Sequence, residues 1–92
     1  MEPRRADVLE RLARACEAEE DWRGAIDALQ RITRATQEPQ ALYPILLELG
    51  DLYTRVRNVP RAEAVYKQAL DLFPGDDTAT SRLEAIRVPR RG

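Results

Sequence analysis

The chain has 92 residues, with 15 basic and 16 acidic side chains, one Cys, no His and a formal net charge of −1. So even a balance gives no overall pull toward nucleic acid or an anionic membrane, and one thiol without His leaves no ordinary zinc or copper ligand set. Hydrophobic residues make up 43%, enough for a packed core, although a chain of this length buries only about 60–65% of its unfolded surface.

Residues 4–19 read as a first helix. Val8, Leu9, Leu12, Ala13 and Cys16 recur three or four apart and form its apolar face, with charged residues around the rest. Glu10 and Arg14 add a favourable i,i+4 pair. Cys16 sits in that stripe as a small core residue and cannot form an internal disulfide. A single thiol with no apolar run of signal or membrane length suits a reducing, cytoplasmic setting.

Asp21 is a natural N-cap for a second helix over 22–36, whose inward residues are Ala25, Ile26, Leu29 and Ile32. Trp22, just after the cap, is expected to pack between helical hairpins. Glu38-Pro39 breaks that helix. A third helix is expected over 44–56, because Pro44 costs about 3 kcal/mol in a helix interior and little in a first turn. A start at Gln40 with a bend at Pro44 is the alternative. Its stripe is Leu46, Leu49, Gly50 and Tyr53. The fourth helix, 60–73, has Asn58 as its cap and Pro60 in its first turn, and it ends where Pro74-Gly75 cannot continue it. Its stripe holds Ala62, Tyr66 and Ala69. Residues 77–88 form a fifth helix with only Leu83 suited to a core, and 89–92 are a tail.

Gly50, Ala62 and Ala69 are small residues set inside apolar stripes, where they let two antiparallel helices approach closely while Tyr53, Tyr66 and Phe73 fill the space around the contact. Residues 43–76 thereby resemble the tetratricopeptide repeat, a 34-residue helix-turn-helix unit. Leu49, Gly50, Tyr53, Ala62, Ala69 and Pro74 are the family's usual residues at its signature sites; Leu46 stands where Trp is usual and Tyr66 where Phe is usual. Residues 6–39 resemble a degenerate copy, with Leu9, Leu12, Ala13, Cys16 and Ala25 in register, Ile32 in place of a small residue and Gln37 in place of the usual Pro. The two copies lie 37 residues apart, Ala25 to Ala62, with the surplus near Gln37 to Leu42. The resemblance implies an all-α, right-handed superhelix of antiparallel hairpins forming one domain, 1–92. Residues 77–88 would be a capping helix, since Glu84 and Arg87 stand where a following helix would press.

In that family the first helix of each hairpin lines a concave surface that contacts a protein or peptide. The resemblance carries this role to Asp7, Glu10, Arg14 and Glu17 in the first repeat. It also carries it to Leu47, Asp51 and Arg55 in the second, and to Ser81 and Arg82 in the last helix. The surface is mixed in sign around one bulky apolar residue, Leu47, which suits a short peptide or helix. Chaperone-binding members clamp a C-terminal carboxylate with Lys, Asn and Arg side chains. The matching positions here are Glu10, Arg14, Glu48, Thr78 and Arg82, of which only Arg82 fits, so no such clamp is expected.

Other features carry less. Arg87, Arg90 and Arg91 are expected to be solvated rather than to bind nucleic acid, and the acidic turn Glu17, Glu19, Glu20 and Asp21 to be a solubilising loop. No phosphate loop, nucleophile elbow or His-assisted nucleophile occurs, so catalysis and cofactors are not expected. The expected role is a non-catalytic protein-interaction module or scaffold. Its alternative is a self-associating structural domain, a homodimer meeting through Trp22, Leu42, Tyr43 and Ile45.

Overall fold

A computed structural model describes residues 5–87, with side chains over 8–87. Five helices follow in order: α1 (Arg5–Ala18), α2 (Trp22–Ala35), α3 (Pro39–Arg55), α4 (Val59–Leu72) and α5 (Asp77–Arg87). No strand occurs among the described residues. Each helix packs on the next in sequence, in a slab of 52 × 30 × 16 Å. The short links make α1–α2 and α3–α4 antiparallel hairpins, with α5 laid against α4.

The two hairpins close by one piece of turn chemistry used twice. Glu20 and Arg57 adopt the left-handed conformation, at φ 59° and 64°. In each turn the next residue donates its backbone N–H five residues back, Asp21 to Cys16 at 2.7 Å and Asn58 to Tyr53 at 2.8 Å. This ends the first helix as a Schellman motif does. The same two residues then start the second helix. The Asp21 carboxylate accepts from Gly24 N–H at 3.1 Å, and the Asn58 side-chain oxygen accepts from Arg61 N–H at 3.4 Å. One polar residue thus closes one helix and opens the next, so the turns need only three residues each.

The third helix begins at Pro39, five residues before the expected start at Pro44. Pro39 takes the first helical position, where its missing N–H costs nothing, and Ala41 and Leu42 donate to the Glu38 carbonyl. Pro44 then lies inside the helix and deprives the Gln40 carbonyl of a donor. Packing outweighs that loss. Leu42, Tyr43 and Ile45 lie against the core, and Tyr43 meets Phe73 edge-on with ring centroids 5.2 Å apart. Of the surplus stretch near Gln37 to Leu42, the residues from Pro39 onward are therefore absorbed into helix.

The core is one continuous seam. From α2 it takes Ala25, Ile26, Leu29 and Ile32, all expected, with Ala28 in addition. Leu29 and Leu46 are the largest side chains that are almost wholly enclosed, and they lie on the facing helices α2 and α3. Burial of each contributes about 1.5–3 kcal/mol. Leu49, Leu52 and Tyr53 continue the seam to Ala62, Val65, Tyr66 and Ala69 on α4. Gly50 is buried, and a Cβ built on it would lie 2.7 Å from Tyr66 Cδ1 and Cζ, well inside contact distance. The small residue is what lets the α4 ring lie against the α3 backbone.

Two expectations about the ends are corrected. Among the described side chains of α1 only Leu9 and Ala13 are buried, with Cys16 half-buried, while Val8 and Leu12 are exposed. The α1 stripe that meets α2 is narrower than its apolar content, because α2 covers only one side of it. On α5, Ala79 joins Leu83 in the core, where Leu83 alone was expected. The expected tail, 89–92, lies outside the described residues.

Candidate interaction surface

The first helices of the hairpins, α1 and α3, and then α5 present side chains to one face, and the charges on it are paired across helices. Arg14, on the third turn of α1, forms a forked contact with the Glu48 carboxylate of α3, one arm of it Nη2 to Oε1 at 3.1 Å, and also reaches Glu17 at 2.9 Å. One step further along, Asp51 of α3 accepts from Arg82 of α5 at 2.6 Å. The same carboxylate accepts from the Tyr66 hydroxyl at 2.5 Å. Two ion pairs thus tie α1 to α3 and α3 to α5. They are largely solvent-exposed, so each contributes only about 0.2–1 kcal/mol. Their larger effect is to fix the spacing and rotamers of the groups on this face.

The electrostatics follow from those contacts. Desolvation works against the charge on Glu48, but hydrogen bonds from the Arg14 guanidinium and from Glu17, with the Arg14 charge, together more than offset this and hold its carboxyl below the usual range. Glu17, desolvated and facing the Glu48 carboxylate, is pushed up. Burial, together with the hydrogen bond to Asp51, pushes the Tyr66 hydroxyl up to about 12. The Glu63 carboxyl on α4 is held low by Arg87, which donates to it at 3.1 Å. Arg87, expected to be solvated, is thereby an α4–α5 tie; Arg90 and Arg91 lie outside the described residues. The Cys16 thiol is raised by desolvation and by Asp21, the opposite of what a reactive thiolate needs.

Among the residues expected on this face, the structure groups Arg14 with Glu17, and Asp51 with Arg82. Glu10 is exposed and lies beside Arg14 on the rim of a recess of about 290 Å³ between α1, α2 and α3, floored by Leu29 and Ile32 and closed on the α3 side by Ala41, Pro44, Ile45 and Glu48. Leu47 is half-buried and Ser81 exposed. Arg55 lies over the Trp22 ring, 4.6 Å from its centroid, bridging the start of α2 and the end of α3. The Asp7 side chain lies outside the described residues. Sequence reasoning missed the pairing of Asp51 with Tyr66, since no spacing rule links a concave carboxylate to a core phenol. It missed the Arg55–Trp22 contact as well. The four residues expected at a dimer contact, Trp22, Leu42, Tyr43 and Ile45, all pack against the chain's own core.

No group of His, Cys, Asp and Glu among the described residues could hold a metal ion, and no helix among them is long and apolar enough to cross a membrane. No curated protein and no solved structure matches the chain. Two stretches do match a family model described as tetratricopeptide repeat, residues 8–41 and 45–78. The first covers most of α1 and all of α2, and the second most of α3 and all of α4. Repeats of this kind generally mediate protein–protein interaction and are typically non-catalytic. With paired helices, small residues at the crossing and matches over both hairpins, the chain belongs to the tetratricopeptide repeat family.

Proposed function

We propose that this chain is a cytoplasmic, non-catalytic protein-binding module that holds a short segment of a partner on the face formed by α1, α3 and α5. The observation that carries the reading is the recess between α1, α2 and α3, with an apolar floor of Leu29 and Ile32 and a rim that includes Glu10, Arg14 and Glu48. A bulky apolar side chain fits such a recess, and a basic neighbour on the same segment would meet Glu10. Leu47 and the Arg55–Trp22 stack extend the contact toward the other end. The Arg14–Glu48 and Asp51–Arg82 ties hold this frame in advance, so less ordering is needed on binding. Glu48, already engaged by Arg14, adds to the case against a carboxylate clamp. Asp7 and Ser81 remain proposed contacts at the margins.

The test fills the recess without touching the core. Ala41 is exposed on its rim, and Ala41→Trp should abolish retention of the native partner, as should Leu47→Asp, with the helical circular dichroism preserved. Partner retention unchanged by both substitutions would show that this face is not the one in use.

A second reading, self-association, draws on α1. Val8 and Leu12 are 50% and 47% exposed and one helical turn apart on α1, with Val8 at the mouth of a recess it shares with the end of α2. Two copies meeting through α1 in a symmetric pair would cover both. Light scattering from low to high micromolar concentration, on the wild type and on Val8→Glu with Leu12→Glu, decides it. A strict monomer throughout removes the reading.

A further inference from the structure

We propose that the opposite face of the stack, the groove between α2 and α4, is a second docking site, built for an acidic protein segment carrying two bulky apolar side chains. Two cavities of about 250 and 290 Å³ lie along it. They share Gln30, Tyr53 and Arg61, so they form one groove with a waist. The floor is α3 and the residue that ends it, which supply Leu46, Leu49 and Tyr53 to one cavity and Tyr53 and Val56 to the other.

Charge selects the occupant. Arg23 and Arg61 line one cavity and Arg34 and Arg61 the other, and no carboxylate lines either. None of these three arginines lies within ion-pairing distance of a carboxylate among the described residues, a condition they share with Arg11, Arg55 and Arg57. The chain as a whole is slightly acidic, so three cations with no carboxylate in the lining of one groove are a local segregation of charge. One of them is also placed against the usual electrostatics of a helix. The start of α2 carries the Asp21 carboxylate as its cap, whereas α4 is capped by the neutral Asn58, has no acidic residue in its first turn and has Arg61 there, beside the partial positive charge of the helix start. An acidic segment in the groove relieves it. At the waist, Gln30 donates to the Tyr53 hydroxyl, leaving the phenolic proton as a donor at the floor.

Spacing sets the pattern of the segment. On α2, Ile26 lines one cavity and Thr33 the other, about 10 Å apart at 1.5 Å per helical residue. Apolar residues three apart in a polyproline II segment, or about seven apart in a helix, reach both from one side. Carboxylates on either side of them would meet the arginines through charge-assisted contacts. This site is independent of the α1–α3–α5 face, and substitutions separate the two.

The experiment selects binders to the intact chain from a phage-displayed library of random peptides of about 12 residues. Arg23→Glu with Arg61→Glu, and separately Ala64→Glu on the exposed rim of the groove, serve as counter-screens. The expected result is enrichment of Asp- and Glu-rich peptides with two bulky apolar residues at the stated spacing. Anisotropy of the leading labelled peptide should show affinity falling roughly tenfold or more for the double arginine variant and on raising salt from about 0.05 to 0.5 M. Binding should be untouched by Leu47→Asp. The substituted groove residues Arg23, Arg61 and Ala64 are all exposed, and circular dichroism confirms that each variant folds. No enrichment, enrichment of peptides without acidic bias, or binding lost with Leu47→Asp but kept with the arginine changes would each overturn the proposal.

Discussion

Gly50→Ala is the perturbation in which opposing effects are most sharply balanced. In an ordinary helix interior the change stabilises by up to about 1 kcal/mol, because alanine restricts the unfolded backbone. Here the added Cβ would sit 2.7 Å from two Tyr66 ring carbons and closer still to a third. The ring must move by about 1 Å to restore contact distance, and overpacking of that size costs about 1–3 kcal/mol. The ring is not free to move, since its hydroxyl is held by Asp51 at 2.5 Å and Asp51 is held by Arg82. A hydrogen bond to a charged group, if broken, adds about 1.5–3 kcal/mol. Partial relaxation leaves a net loss of about 2 kcal/mol, which lowers the melting temperature by roughly 10 °C in a domain of this size. Thermal unfolding followed by far-UV circular dichroism measures it. In a Tyr66→Leu background the obstacle is gone, and Gly50→Ala should become neutral or stabilising. A wild-type or higher melting point for Gly50→Ala alone would refute the contact, as would a penalty that persists once the Tyr66 ring has been removed.

The remaining expectations concern the turns, the ionisable groups and the aromatic edge. Glu20→Gly and Arg57→Gly, at the two left-handed turn positions, should each raise stability by about 1 kcal/mol in urea unfolding, since glycine adopts that conformation without a Cβ clash; a loss at both would contradict the turn geometry. For acid, Glu48 and Glu63 are held below their ordinary values, so their stabilisation is present above the usual carboxylate range and is lost as pH falls through their folded-state values. Glu17, held high, opposes them weakly by shedding its cost as it protonates. Melting temperature should therefore be flat from about pH 6 to 8 and fall below about pH 4, and Glu63→Gln should shrink the fall. Tyr66 should resist ionisation until about pH 12 in ultraviolet titration, with Tyr66→Phe removing that late step. Arg55→Ala should uncover Trp22, shifting the emission of the only tryptophan to the red and costing about 0.5–1 kcal/mol.

Much of the frame could be read from single residues. Asp21 and Asn58 announced both inner helix starts because a short polar side chain satisfies the free N–H groups there. The stripe of Ala25, Ile26, Leu29 and Ile32 marked the buried face of α2. The start of α3 was misplaced because the proline penalty is local, whereas the gain that offsets it, Tyr43 on Phe73, comes from the end of another helix. Val8 and Leu12 belong to the apolar stripe yet face solvent, because helical period shows which residues share a face and not how wide a strip its neighbour covers. For the interaction surface, the resemblance placed Arg14, Asp51 and Arg82 on one side but could not pair them, since each pair joins residues more than thirty apart. The α2–α4 groove was out of reach for the same reason. Arg23, Arg34 and Arg61 look scattered along the chain and line one groove only when the helices are stacked.

The order in which helices pack bears on how the protein is made. Because each helix rests on its neighbour in sequence, nascent polypeptide leaving a ribosome can fold α1 back on α2 before α3 has emerged. The uncovered side of α2 then waits for α3 to follow, and Leu29 and its neighbours stay wet and open to chaperones until it does.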